Sequence, residues 1–242
     1  QRGGAGEALL FLHGAQGLAG WEPGLAALAE RFAVIAPDHP GFGFSAVSPR
    51  VERMEDLAYH TLDLLDRLDA GPVHVVGECI GGWLAMEMAL RAGARFRSLT
   101  LVNSAGIRLK GVPRADMFIC NPDELSQLLF AGNGAHAWLE RWNATQDLAD
   151  AFERNTAAAA RFAWQPRLCS LTLDRWLHRI TVPTHIIWGE EARVVPRPYA
   201  GALAERIRGA RISILPQCGH LAHADQPAAL AETVTRFIRE IA

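Results

Sequence analysis

The sequence predicts a doubly wound, mostly parallel α/β fold with an inserted helical segment, and three observations carry that prediction. Short runs rich in β-branched and aliphatic residues recur at Ala8 to His13, Ala33 to Pro37, Pro72 to Gly77, Ser98 to Asn103, Thr184 to Trp188 and Arg211 to Leu215. Near-continuous apolar strands of this kind suit a parallel sheet buried on both faces. Amphipathic stretches separate them, clearest from Met54 to Leu68, where Leu57, Thr61, Leu64, Leu65 and Leu68 recur at helical spacing. Between about Gly106 and Arg175 the alternation lapses and helices follow one another without a strand.

Within that lapse, Asn121-Pro122-Asp123-Glu124 has the chemistry of a helix start, with Asn as cap, Pro in the first turn and acids at the positive end of the dipole. Further helices are expected over Ala135 to Trp142, Asp147 to Phe162 and Leu171 to His178. The expected organisation is one core, residues 1–106 and 176–242, with a helical cap inserted at 107–175. The cap is rich in bulky apolar groups, and Trp138, Trp142 and Trp164 are expected to line a mostly apolar cavity between cap and sheet.

Half of the 242 residues are hydrophobic, enough to bury a single large core. The formal charge of -2 leaves no basic footprint for nucleic acid or an anionic membrane surface. Charged residues interrupt every apolar run before the roughly 20 residues a bilayer span requires. A cytoplasmic protein acting on a small molecule is therefore expected, with no nucleic-acid or membrane partner and an oligomeric state that the sequence leaves open. Cys79, Cys120, Cys169 and Cys218 lack zinc-type or redox-type spacing and read as reduced thiols. Neither a metal nor a cofactor is expected.

The strand Pro72 to Gly77 runs into Gly77-Glu78-Cys79-Ile80-Gly81-Gly82 and then into a helical pattern. This is the pattern of a strand-turn-helix nucleophile elbow with cysteine at its tip. The turn strains its central residue, so glycines flank it where side chains would collide. A thiol at a helix start is expected to favour its thiolate. Near the end of the chain the strand Arg211 to Leu215 leads into Pro216-Gln217-Cys218-Gly219-His220-Leu221-Ala222-His223. His220, on the loop after the last strand, stands where a general base for Cys79 belongs. His223 is expected to shape the pocket or cap the loop. His13 is expected to order its own loop by hydrogen bonding, and His39 to be architectural.

Taken in order, His13-Gly14, Asp38-His39-Pro40-Gly41-Phe42-Gly43, the elbow, Val182-Pro183, Trp188-Gly189-Glu190-Glu191 and Gly219-His220 resemble the α/β-hydrolase superfamily in both halves of the core. The cap resembles that of lid-bearing esterases, enol-lactonases and carbon-carbon bond hydrolases. The resemblance implies an oxyanion hole from the backbone N–H groups of Ala15 and Ile80. It also implies an aspartate four residues beyond Trp188, and Ala192 stands there. Three readings stay open: Ala192 is an introduced, inactivating replacement; Glu190 or Glu191 reaches His220 from the same loop; or Asn103, at the end of its strand, orients the imidazole. The resemblance implies hydrolysis of a small apolar ester, thioester or lactone through Cys79, with carbon-carbon hydrolysis and a catalytically degenerate ligand-binding receptor as alternatives.

Overall fold

Strand and helix alternate along the computed structural model, which describes residues 1–242. β1 (Arg2–Gly3) and β2 (Ala8–Leu12) precede α1 (Pro23–Ala29), followed by β3 (Ala33–Ile35), α2 (Met54–Arg67), β4 (Val73–Glu78), α3 (Ile80–Ala92) and β5 (Phe96–Val102). Three helices then run without an intervening strand: α4 (Pro122–Leu129), α5 (Gly134–Trp142) and α6 (Gln146–Ala163). The chain returns to the sheet through β6 (Thr184–Gly189), α7 (Pro198–Arg206), β7 (Arg211–Leu215), α8 (Ala222–Asp225) and α9 (Pro227–Ile241).

The strands form one sheet in the order β1-β3-β2-β4-β5-β6-β7. Every neighbouring pair is parallel except β1 with β3. Two residues of β1 are too few to show a periodicity, so no strand is expected there from sequence. Side-chain alternation sends Leu10, Leu12, Val75, Leu99, Leu101 and Trp188 to one face, where they pack with Leu57 and Leu65 of α2, Trp83 and Met86 of α3 and Leu203 of α7. Leu9, Phe11, Val34, Val76 and Ile187 face the other way, against Leu25 and Leu28 of α1 and Leu230, Val234 and Phe237 of α9. Burial on both faces is what the continuous apolar strands require.

The Asn121 cap forms as its chemistry dictates: Asn121 Oδ1 accepts from the Glu124 N–H at 2.9 Å, and Glu124 Oε2 accepts from the Asn121 N–H at 3.0 Å. The helix expected over Leu171 to His178 is instead two 3₁₀ turns, Leu173–Arg175 and Leu177–Arg179. Ser170 Oγ accepts from both Thr172 and Leu173 N–H at 3.1 Å, and this local capture stabilises a tight turn in place of an α-helical ladder. No helix is long and apolar enough to cross a membrane.

Parallel register brings the carboxyl ends of the strands to one edge. Leu12 pairs with Gly77, Glu78 with Val102, and Gly189 with Leu215. His13, Cys79, Asn103 and the loops after β6 and β7 therefore emerge together, beside the crevice where the strand order reverses.

Candidate active site

Cys79 stands between β4 and α3 with φ 53° and ψ −116°, a conformation that costs an L-residue on the order of 1–3 kcal/mol. The surrounding bonds hold it there. Its N–H donates to Val102 O at 3.0 Å, and its carbonyl accepts from Gly82 and Ala105 at 3.1 and 3.0 Å. A side chain at Gly81 would overlap the Leu12 carbonyl, and one at Gly77 would overlap the Gly81 carbonyl, so steric exclusion requires both glycines.

The backbone N–H groups of Ala15 and Ile80 face the Cys79 sulfur and favour its charged form. Burial opposes them and, with the Glu78 carboxylate adjoining, pushes the thiol up to about 12. The thiolate expected from the helix start is thus overturned: desolvation of a fully buried sulfur outweighs the field of one helix end.

His13 orders the loop that carries Ala15. His13 Nε2 accepts from the His39 N–H at 3.1 Å, which places the ring proton on Nδ1, where it donates to Gly14 O at 2.7 Å. The two imidazoles stack with centroids 3.9 Å apart, and burial lowers both of their pKa values.

His220 is fully buried, and neither of its ring nitrogens has a hydrogen-bond partner. Burial alone holds its pKa down to about 3. The loop is fixed through its backbone instead. His220 N–H donates to Leu129 O at 2.7 Å, at the end of α4, and the Asp225 carboxylate accepts from Gly219 N–H at 2.7 Å.

The three candidates for an orienting group resolve differently. Ala192 is nearly buried and offers the imidazole no polar atom. Glu191 is exposed, with its carboxylate turned to Arg193 at 3.4 Å, and does not reach His220. Asn103 does touch the loop, but at its backbone: Nδ2 donates to the carbonyls of His220 at 2.8 Å and Gly219 at 3.2 Å, while Oδ1 accepts from Gly189 N–H at 2.8 Å. With φ 44° at the end of β5, Asn103 ties the loops after β6 and β7 together and leaves the ring of His220 free.

The pocket assignments need correction. Trp138 and Trp142 are buried in an aromatic cluster with Phe130 and Phe152, with centroids 5.4–6.4 Å apart, which packs the helical segment internally. Trp164 is half exposed and borders a separate pocket of about 900 Å³ with Arg108, Lys110, Arg114, Arg167 and Tyr199. Cys79 and His220 do not line this pocket, nor the pockets of about 460 and 660 Å³ elsewhere on the surface. His223 lies in the interior, held between Glu78 and Glu22.

One residue that the sequence did not single out is Asn155 of α6. Its Nδ2 donates to Gln16 O at 2.6 Å and its Oδ1 accepts from Gly43 N–H at 2.6 Å, so the helical segment grips the loop beside Ala15. No local pattern marks such an asparagine, because its partners lie 139 and 112 residues away.

Similarity to known proteins bears on the fold and the family. RutD of Azorhizobium caulinodans, named for carbamate hydrolysis, is 31% identical over 98% of this chain and 93% of its own. The 2-hydroxymuconate semialdehyde hydrolase of Pseudomonas sp. strain CF600 is 30% identical over 98% and 88%. Among solved structures, an esterase from Exiguobacterium antarcticum superposes with a TM-score of 0.82 at 21% identity over 99% and 94% of the two chains. A meta-cleavage product hydrolase from Pseudomonas fluorescens IP01 gives 0.81 at 24% over 100% and 94%. Residues 9–233 match the Alpha/beta hydrolase family, and the chain therefore belongs to that family, whose fold and relatives are those of hydrolase enzymes.

Proposed function

We propose that this hydrolase cleaves a small, largely apolar ester, thioester or lactone by covalent catalysis at Cys79, with His220 as the base. The observation that carries the reading is Cys79 at positive φ with the Ala15 and Ile80 N–H groups directed at its sulfur. Donors so placed can hold the oxyanion formed when sulfur attacks a carbonyl. Burial keeps both the thiol and the imidazole neutral at rest. The thiol proton therefore passes to His220 as the carbon–sulfur bond forms, and no thiolate–imidazolium pair precedes it. Collapse of the tetrahedral intermediate breaks the bond to the leaving group, which takes that proton. Water, deprotonated by His220, then attacks the thioester and releases the acid and the Cys79 thiol.

Residues 107–175 are read as the cap, supported by the grip of Asn155 on the Gln16 loop and of Leu129 on the His220 loop. Unpaired thiols at Cys79, Cys120, Cys169 and Cys218 support a reducing, cytoplasmic setting. Similarity to 2-hydroxymuconate semialdehyde hydrolase favours a second reading, carbon-carbon hydrolysis in the same site with a carbon leaving group protonated by His220.

A p-nitrophenyl ester series tests the proposal, followed by intact-mass and peptide mapping. An acyl adduct on Cys79 and loss of turnover in Cys79→Ala are expected. Ligand binding without any Cys79 adduct overturns it in favour of a degenerate receptor. Turnover of a 2-hydroxy-6-oxodienoate with inert esters selects the second reading.

A further inference from the structure

Three ionisable side chains far apart in sequence meet beneath the elbow, all nearly or fully buried: Glu22 just before α1, Glu78 at the end of β4 and His223 in α8. His223 Nδ1 lies 2.5 Å from Glu78 Oε2, and Nε2 lies 2.8 Å from Glu22 Oε2. The remaining oxygens are also used: Glu78 Oε1 accepts from the His223 N–H at 3.3 Å, and Glu22 Oε1 accepts from the Ala19 N–H at 2.7 Å. Two carboxylates on two ring nitrogens require both nitrogens to carry protons, so His223 is an imidazolium between two anions.

Each member adjoins a different part of the site. Glu78 precedes Cys79, His223 follows His220 by three residues, and Glu22 ends the loop that carries Ala15. None of the three side chains is free to meet a substrate. Packing closes the cluster further: a side chain at Gly24 would overlap the His223 backbone, and the Phe11 ring sits edge-on to His223 at 5.6 Å.

We propose that Glu22, His223 and Glu78 form a charged clamp that holds the oxyanion loop, the nucleophile and the base in register, with all three acting as positioning residues. The proposal rests on the reading of Cys79 and His220 as the reacting groups. Electrostatics agrees with the geometry. Burial alone would lower the pKa of His223, but Glu78 and then Glu22 raise it to about 10, and His223 holds that of Glu22 low. The other charged or titratable groups that interact with the cluster are His13, from the loop after β2, Arg141 of α5, and the thiols of Cys79 and Cys218, which face Glu78.

Glu78→Gln, Glu22→Gln and His223→Gln test the clamp in the full chain. The first arm follows Cys79 acylation by p-nitrophenyl acetate against pH. In the parent the rate should stay level through neutral pH, where the thiol and His220 are both neutral, and break downward near pH 10, where His223 loses its proton. Glu78→Gln should move that break to lower pH and His223→Gln should remove it, with KM nearly unchanged. The second arm needs no turnover: hydrogen exchange of the segments 13–22 and 217–225 should accelerate together in Glu78→Gln, by about tenfold, the equivalent of one pK unit of lost interaction. A break that persists in His223→Gln overturns the clamp, as does unchanged exchange in both segments of Glu78→Gln. If His223→Gln fails to fold, the displaced break and the exchange in Glu78→Gln decide. If the parent forms no Cys79 adduct while exchange responds as stated, the reading of Cys79 as nucleophile falls and the clamp stands.

Discussion

His220 and His223 lie three residues apart, both fully buried, yet their surroundings are opposite. His220 has no polar partner on either nitrogen, and burial holds its pKa down to about 3. His223 has a carboxylate on each nitrogen, and those anions lift its pKa to about 10 against the effect of burial. Burial by itself therefore does not decide the charge of an interior imidazole; its partners do. The contrast also locates the site's charge. Its permanent ions belong to the scaffold, whereas the groups proposed to react, Cys79 and His220, are neutral at rest.

The strongest test of this contrast is His223→Leu. Removing the imidazolium leaves two buried carboxylates facing each other without a counterion, and breaking a buried pair in this way typically costs about 3–5 kcal/mol. Chemical denaturation should show a loss of that size. A loss below about 1 kcal/mol would mean that Glu22 and Glu78 are not both ionised in the folded state.

The same contrast predicts how stability responds to pH. The folded pKa of His223 lies above its unfolded value, so its contribution is fully present below about 6.5 and is lost as pH rises through about 10. The depressed histidines act in the other direction. His220, His185, His74, His13 and His39 all have lowered folded pKa values, so the unfolded chain binds protons first and stability falls as pH drops below about 6.5. Burial is the leading cause in each case. Glu22, depressed by His223, adds to the loss on the acid side. Thermal denaturation should give highest stability near neutral pH with losses on both sides; stability that holds or rises between pH 8 and 11 would contradict the assignment of His223.

What the sequence shows of this architecture divides along the same line. The elbow is legible because its cause is steric and local: Gly77 and Gly81 sit where a Cβ would strike backbone, and both are within two residues of Cys79. The central strands β2, β4, β5 and β6 are legible because burial on both faces leaves continuous apolar runs. His223 could be found as a residue but not interpreted, since its partners are 145 and 201 residues away and no pattern joins them. Asn103 could be named, but whether its amide meets the ring or the backbone of the His220 loop depends on three-dimensional register. The ionisation of Cys79 is not legible for the same reason. The helix dipole is visible in sequence, whereas complete desolvation of the sulfur is not.

Ala192→Asp would make the surroundings of His220 more like those of His223. A carboxylate beside one ring nitrogen would fix the tautomer, raise the pKa of His220 from about 3 and stabilise the imidazolium formed during attack. Loss of the acid costs a serine triad about 10⁴ in turnover, and a thiol depends on it less, so a gain of roughly 10- to 100-fold is expected. Ester hydrolysis across pH for the parent, Ala192→Asp and Asn103→Ala measures it. A folded Ala192→Asp without gain, alongside an inactive but stable Asn103→Ala, would show that Asn103 orients the ring during turnover.

The smallest effect on stability is expected from repeating the leucine substitution three residues upstream, as His220→Leu. Leucine at 223 strands two anions, whereas at 220 it strands nothing, because neither ring nitrogen of His220 is bonded. The backbone contacts that fix the loop, to Leu129 O and from Asn103 Nδ2, do not involve the side chain and survive the change. Replacing a buried polar group that has no partner by an apolar one of similar size is close to neutral and can stabilise, since two desolvated nitrogens disappear with it. Imperfect packing of the branched side chain works against this gain, at up to about 1.5 kcal/mol for a tolerated swap. The net change in unfolding free energy should therefore stay within about 1 kcal/mol of the parent, while ester turnover is lost. The acid limb of the stability profile should also become shallower, because one depressed histidine has been removed. A loss comparable with that of His223→Leu would mean that the His220 imidazole has a polar partner in solution, and the contrast between the two histidines would no longer hold.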